Sequence, residues 1–230
     1  MTARFCRFFC ACAWWCIAAM GGTTSVWAQQ GGSYDQFQTA IIRDQVAPIV
    51  RLLSRGFDIN TPNPDLQPPL VFALKQESWD VARFFIERSE LDIESKNLSG
   101  ENALMMAAIK GQTGLVERLL QRKAQVNKPG WTPLHYAATH DGPEALAITR
   151  LLIEHHAFID ATSPNGTTPL MMAAQYGLRD VVSLLLKEGA DPSIQNERGL
   201  TAADFARLSD RPDLADQIHR ANANPAGGTW

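Results

Sequence analysis

The sequence predicts an all-α solenoid of about five to six helix-turn-helix repeats joined by hairpin loops. One pattern recurs with the same spacing and residue types: GENALMMAAIKG at 100–111, GWTPLHYAATHDG at 130–142 and GTTPLMMAAQYG at 166–177. Weaker copies are LQPPLVFALKQE at 66–77, GLTAADFARLSD at 199–210 and a degenerate copy from Ser33. The repeats therefore start near residues 33, 66, 100, 130, 166 and 199, and this period is the signature of a stack of repeats.

Each copy opens with a first helix that carries small residues. Thr132-Pro133 and Thr168-Pro169 begin two of these helices, and proline suits the first turn because its missing N–H would have no helical partner there. The pattern Leu-x-x-Ala-Ala follows, as in Leu134 to Ala138. Because alanine is small, we expect the first helices of successive repeats to pack closely side by side.

A second, amphipathic helix follows in each copy. Pairs of apolar residues recur with helical spacing, as in Leu115-Val116 with Leu119-Leu120 and Val181-Val182 with Leu185-Leu186. Such spacing marks one buried helix face. Gly189-Ala190-Asp191 then ends a second helix, since glycine readily adopts the left-handed conformation that a helix end favours. A polar loop leads to the next copy.

The steps between repeat starts are not uniform. They are 33, 34, 30, 36 and 33 residues. The 30-residue step predicts a deletion of about three residues in the loop 123–130, and the 36-residue step predicts an insertion in the turn 139–147. The first and last copies have lost most of the pattern, as expected of end caps that face water.

This repeat resembles the ankyrin repeat family over about residues 35–221. The resemblance rests on Thr132-Pro133-Leu134-His135, Thr168-Pro169-Leu170, Ala173-Ala174 and Gly189-Ala190-Asp191. It implies a curved stack of helix pairs, with hairpin loops projecting from one edge and partners bound on the concave side. It also implies a structural role for His135, which occupies the histidine position of the family motif and ties the motif's hydroxyl to the loop backbone.

The first 28 residues have the composition of a signal peptide. Arg4 and Arg7 precede an uncharged run, Phe8 to Met20, and Val26-Trp27-Ala28 ends the segment with small or compact residues. An uncleaved membrane anchor is less favoured, because the run has 13 residues and a spanning helix needs roughly 20. We therefore expect a signal peptide at 1–28, a short linker at 29–34, the repeat domain at 35–221 and a disordered tail at 222–230.

Composition excludes several classes of site from the exported chain. All four cysteines, at positions 6, 10, 12 and 16, lie in the N-terminal segment, so cleavage would leave no disulfide, thiolate zinc site or cysteine nucleophile. Loss of Arg4 and Arg7 takes the net charge from −3 to −5, which disfavours nucleic acid as a partner. We expect no cofactor, no stable membrane insertion after cleavage, and a periplasmic or, alternatively, secreted protein.

Histidines and methionines offer an alternative, catalytic or metal-binding interpretation. His135 argues against it, because other copies place Met105 and Met171 in the same position. His155 and His156 are adjacent and point in different directions on a helix, whereas zinc needs three or four convergent ligands. We expect the methionines to fill the core. We therefore predict no catalytic residue and no metal site.

Partner contacts are predicted from the register of the repeats, at loop tips and at exposed positions of the first helices. Trp131 and Tyr176 stand out, because tryptophan, tyrosine and arginine dominate binding hot spots. Trp131 has a second interpretation, in which it folds back over its own shortened loop. The predicted contact residues are Lys75, Gln76, Glu101, Ile109, Lys110, Trp131, Thr139, His140, Thr167, Gln175, Tyr176, Arg198 and Leu200.

The sequence thus predicts a non-enzymatic module that binds a protein partner through a concave face. A periplasmic scaffold, stabiliser or inhibitor is the favoured role. The alternatives are a secreted factor that binds a host protein, and a metal-binding or catalytic protein that uses surface histidines and methionines.

Overall fold

The chain folds into six helix pairs. A computed structural model describes residues 24–223, which contain twelve helices and no strand. The first helices of the pairs are α1 (Thr24–Ile42), α3 (Pro69–Lys75), α5 (Ala103–Ile109), α7 (Pro133–Thr139), α9 (Pro169–Gln175) and α11 (Ala202–Leu208). The second helices are α2 (Val46–Leu53), α4 (Trp79–Ile86), α6 (Thr113–Gln121), α8 (Ala145–Glu154), α10 (Arg179–Lys187) and α12 (Pro212–Ala223). The predicted helix-turn-helix solenoid is confirmed.

The predicted end segments lie mostly outside this range. Of the predicted signal peptide, 1–28, only residues 24–28 are described, and they belong to α1. The predicted linker, 29–34, also lies within α1. Of the predicted tail, Asn222 and Ala223 end α12, and residues 224–230 fall outside the described chain.

The first helices pack closely on their neighbours through small side chains. Ala107, Ala137 and Ala173 have no exposed surface, and a leucine three residues before each of them is equally buried. Neighbouring first helices pack more extensively than neighbouring second helices do. Because one layer of helices is packed more tightly than the other, the stack curves toward the first helices and makes that side concave.

The second helices close the other side of one continuous core. Val116 and Leu119 in α6 and Val181 and Leu185 in α10 are completely buried, which confirms the predicted apolar faces. The core runs as one cluster from Phe37 to Ile218. Each repeat therefore covers the apolar surface of its neighbour, and the end repeats have a partner on one side only.

Both predicted irregularities are present. Three residues connect the helices in five of the pairs, but five residues, 140–144, connect α7 to α8. The loop from α6 to α7 has 11 residues, 122–132, whereas the corresponding loops between other pairs have 14 to 16. The insertion and the deletion flank α7 and change the surface on both sides of it.

A ladder of hydrogen bonds joins successive loops. A backbone N–H of each loop donates to a side chain of the preceding loop: Asp92 to Asn60, Gln125 to Glu94, Phe158 to Asn127 and Asp191 to Asp160, at 2.8 to 3.1 Å. The loops are thus held in register along one edge of the stack.

Candidate functional site

The predicted contact residues differ in how far they reach solvent. Gln76, Tyr176 and Arg198 are exposed. Nine more are partly exposed: Lys75, Glu101, Ile109, Lys110, Trp131, Thr139, His140, Gln175 and Leu200. These residues form the first-helix side of the stack, in or beside α3, α5, α7, α9 and the loop that precedes α11.

The expected exposure of Thr167 is wrong. Its surface is 2% exposed, and its backbone N–H donates to Ser163 Oγ at 3.0 Å. Its carbonyl oxygen accepts hydrogen bonds from the Ser163 N–H at 2.9 Å and from His135 Nε2 at 3.0 Å. Thr167 therefore closes its own loop and anchors α7.

Paired charges occupy one end of the concave face. Lys75 Nζ lies 3.0 Å from Glu101 Oε2, and Lys110 Nζ lies 2.8 Å from Glu77 Oε1. The Tyr136 hydroxyl donates to Glu101 Oε1 at 3.2 Å. Burial and the charge of Glu101 raise the pKa of Tyr136, so this hydroxyl remains a donor throughout the physiological range. This end is polar, but its charges already have partners.

Aromatic and aliphatic side chains occupy the other end. A cavity of about 280 Å³ lies between α9, α11 and the loops that precede them, and Trp131, Met172 and Tyr176 line one wall. Phe205 and Leu208 from α11 line the opposite wall. Tyr176 is 53% exposed and Leu208 is 68% exposed. Polar side chains, among them Asn165, Gln175 and Asn196, line the rest of the cavity. We call this cavity the aromatic groove.

A second, smaller cavity adjoins the aromatic groove. It has a volume of about 200 Å³ and is lined by Ile109, Tyr136 and Thr139, together with Trp131 and Met172. Because Trp131 and Met172 line both cavities, the apolar surface continues from Ile109 to Leu208 along the concave face.

Trp131 combines features of its two predicted roles, as a partner contact and as a cover for its own loop. Its ring is half-buried and packs edge-on against His135, with ring centroids 5.2 Å apart and planes at 73°. The other part of the ring faces both cavities. Trp131 therefore covers the buried histidine of its own repeat and still presents an aromatic surface on the concave side.

His135 is a buried structural residue, as predicted. Its ring has no exposed surface, and Nε2 donates to the Thr167 carbonyl, which can only accept. Nδ1 must then accept from the Thr132 hydroxyl at 2.9 Å and the Thr132 N–H at 3.2 Å. Burial lowers the pKa of His135 to about 4, so the ring is neutral. Both nitrogens are committed to the fold.

Met171 takes the place of His135 in the next repeat. Its sulfur accepts the Thr168 N–H at 3.4 Å, in the geometry that Nδ1 of His135 has with Thr132. Met105 and Met171 are each 1% exposed, so both fill the core, as predicted. Met172 departs from that prediction, because it is only partly buried and lines both cavities. Among residues 24–223, no three histidine, cysteine, aspartate or glutamate side chains converge as a metal site would require.

His140 fills the inserted turn. Its ring covers Gly111 and Gly142, and Nε2 lies 3.6 Å from Glu144 Oε2. Only 16% of its side-chain surface is exposed. Its contacts are within this turn and with the turn between α5 and α6, so it offers a partner little surface.

Sequence reasoning missed one exposed aromatic residue, Phe158. It is 67% exposed and lines an open cavity of about 730 Å³ between the shortened loop and the next one. Asp58, Asp92 and Asp191 occupy the equivalent position in other loops, and each accepts the N–H of the residue two positions later. The sequence does show this difference, because His156-Ala157-Phe158 stands where the next repeat has Gly189-Ala190-Asp191.

The cavity beside Phe158 is open because the shortened loop has a different side-chain contact at its tip. Asn97, Ser163 and Asn196 each precede a loop glycine by three residues, and each side chain accepts the N–H four residues onward. Asn127 has the same position before Gly130, but its side chain bonds to His156 and Phe158 in the next loop. The shortened loop therefore lacks the side-chain contact that closes the other tips.

Comparisons with known proteins agree with this fold. The family model described as ankyrin repeats matches residues 37–129 and 123–196. The chain is 30% identical over 186 residues to neurogenic locus notch homolog protein 1 of Xenopus tropicalis. It is 26% identical over 159 residues to transient receptor potential cation channel subfamily A member 1 of Homo sapiens. It is 29% identical over 157 residues to putative ankyrin repeat protein YahD of Escherichia coli (strain K12).

The matched lengths differ greatly among these relatives. The three matches cover 73%, 66% and 66% of this chain. They cover 7% of the notch protein, 14% of the channel subunit and 78% of YahD. The likeness to the first two is therefore confined to their repeats. Within the described part of this chain, no helix is both long and apolar enough to cross a membrane.

Proposed function

Because this chain belongs to the ankyrin repeat family, we propose that it is a non-enzymatic module that binds a protein partner through its concave face. Repeats of this kind generally serve as protein–protein interaction modules, and the curvature of a solenoid creates an extended concave surface for binding. The aromatic groove forms the apolar end of the proposed interface, with Trp131 and Tyr176 as anchors.

One observation carries this proposal: large apolar side chains line a concave surface without completing the core. Tyr176 and Leu208 are more than half exposed, and both line the aromatic groove with Trp131. An exposed apolar patch with a polar rim is typical of an interaction site, because water contact with such side chains is unfavourable. A partner that covers them gains hydrophobic free energy, and aromatic anchors often contribute about 2 kcal/mol or more.

We place the module in the periplasm, where it would stabilise, scaffold or inhibit an enzyme or another protein of the envelope. The support is the signal-like segment at 1–28 and the absence of cysteine from the rest of the sequence. The net charge of −3, and of −5 without that segment, favours a protein over a nucleic acid as the partner.

Affinity capture tests the proposal. The purified protein would be incubated with extract of the same compartment, beside the double variant Trp131→Ala/Tyr176→Ala. We expect one protein to be retained by the native chain and lost by the folded variant. Ile42→Ala/Val50→Ala is the matched control, because both residues are exposed and apolar but lie at the first repeat, away from the groove.

Circular dichroism would verify that each variant is folded. Loss of the partner from both double variants, or from neither, would contradict binding at the aromatic groove.

A further inference from the structure

A single charged side chain lines the aromatic groove. Arg198 lies in the loop that precedes α11, and the other residues that line the groove are apolar or uncharged. Among residues 24–223, no carboxylate pairs with its guanidinium, which is exposed. A positive charge therefore stands beside the apolar surface without an ion-pair partner among the described residues.

The backbone around Arg198 is held in place. The Asn196 side chain accepts the N–H of Arg198 and the N–H of Leu200, each at 3.0 Å. The Asn196 N–H donates to the Leu200 carbonyl oxygen at 3.0 Å. Arg198 therefore projects from a closed, hydrogen-bonded turn, so its backbone loses little entropy when a ligand binds.

Arg198 differs from the other charges on the concave face. Lys75 and Lys110 already have carboxylate partners, Glu101 and Glu77, at the opposite end. The intervening residues Ile109, Trp131 and Met172 are uncharged. Charge complementarity consequently favours a negative group on the partner, at the Arg198 end of the aromatic groove.

The size of the two cavities indicates that they receive side chains of a partner rather than a cofactor. The two volumes, about 280 and 200 Å³, fall below the range of roughly 300–1,000 Å³ that is typical of small-molecule sites. Each suits an inserted side chain, and their shared wall of Trp131 and Met172 would separate two such side chains.

We propose that the partner presents an acidic, apolar peptide segment, with large apolar side chains in the two cavities and a carboxylate on Arg198. This inference rests on the proposed function and specifies the chemistry of the bound segment. A guanidinium forms two parallel hydrogen bonds with a carboxylate, and such charge-assisted bonds strengthen where apolar walls exclude water. The apolar side chains supply affinity, and the ion pair fixes the direction of the segment.

A displayed library of random dodecapeptides tests this inference. The library would be selected on the purified protein, and the enriched peptides would be measured by fluorescence polarisation. We expect enriched peptides to combine aspartate or glutamate with aromatic or large aliphatic residues. Their Kd should rise at least tenfold on Arg198→Glu. Arg150→Glu is the control, because Arg150 is exposed on α8 and likewise lacks an ion pair among the described residues.

A charge exchange makes the test specific. Replacing the acidic residue of an enriched peptide by lysine should weaken binding to the native protein and restore binding to Arg198→Glu. Equal effects of Arg198→Glu and Arg150→Glu, or enriched peptides without acidic residues, would overturn the inference.

The variant Trp131→Ala separates the two proposals. If peptides lose affinity on Trp131→Ala but not on Arg198→Glu, the concave binding site stands and the acidic segment is wrong. If no enriched peptide depends on Trp131, Tyr176 or Arg198, both proposals fail.

Discussion

At the scale of single residues, the third position of α7, α9 and α11 shows how three different side chains accept the same backbone N–H. His135, Met171 and Asp204 each accept the N–H of the threonine three residues earlier. Val71 occupies this position in α3, where the residue three positions earlier is Pro68 and has no N–H to satisfy. The need is thus an acceptor for one backbone donor, and histidine is one of several solutions.

His135 should make the stability of the protein sensitive to acid. Its folded pKa of about 4 lies below the unfolded value near 6.5, so its stabilisation is present above pH 6.5 and lost as the pH falls toward 4. His135→Met, which copies Met171, should reduce stability at pH 7 by roughly 1–2 kcal/mol, because it removes the bonds of His135 to the Thr167 carbonyl and to the Thr132 hydroxyl.

Urea unfolding at pH 7, 5.5 and 4.5 measures this effect. Between pH 7 and 4.5 the native protein should lose roughly 2 kcal/mol more than His135→Met, because the loss is about 1.4 kcal/mol per pH unit below pH 6.5. Parallel pH profiles would contradict a neutral, buried His135.

Phe158 should contribute little to folding. Phe158→Asn replaces an exposed ring by a side chain that can accept the Asp160 N–H, as Asp58 and Asp92 do for the residues two positions after them. We expect the free energy of unfolding to stay equal or to rise by up to about 1 kcal/mol. A melting temperature lowered by several degrees would instead show that the ring packs on the shortened loop.

At the scale of helices, the distance between α7 and α9 depends on one glycine. A Cβ on Gly177 would overlap the Ala138 carbonyl oxygen and crowd Ala173. Gly177→Ala should therefore destabilise the protein by about 1–3 kcal/mol, the usual cost of overpacking.

Gly114→Ala is the matched control for this prediction. Gly114 lies in α6, and an added Cβ would meet no atom within 4 Å. This change should stabilise the protein by about 0.5–1 kcal/mol, because alanine favours a helix. Thermal unfolding followed by circular dichroism would compare the two, and equal effects would mean that α7 and α9 are not in close contact.

The helices, their order and both length changes could be predicted from the sequence. Repeat spacing reports local geometry, and the deletion before α7 and the insertion after it change that spacing directly. The burial of Thr167 could not be predicted, because it depends on a contact between neighbouring repeats, the hydrogen bond of its carbonyl with His135. The role of Asn127 could not be predicted either, because its side chain bonds to His156 and Phe158 in the next loop instead of closing its own.

At the scale of the whole molecule, the concave face divides into two chemically different ends. Ion pairs such as Lys75 with Glu101 lie toward the N-terminus, and the aromatic groove lies toward the C-terminus. The sequence predicted several residues of this face, such as Lys75 and Tyr176, but not Phe205 and Leu208, which also line the groove. It did not predict the pairing of Lys75 with Glu101, because these residues come from different repeats. We expect the N-terminal end to contribute specificity and the aromatic groove to contribute most of the affinity.

The measurement that tests concave binding most directly is hydroxyl-radical footprinting with and without the captured partner. Oxidation would be read by mass spectrometry at Trp131 and Tyr176 in the aromatic groove and at Trp79 and Phe158 outside it. Binding to the concave face predicts that the partner protects Trp131 and Tyr176 and leaves Trp79 and Phe158 unchanged. Protection of Trp79 or Phe158, with Trp131 and Tyr176 still oxidised, would contradict it.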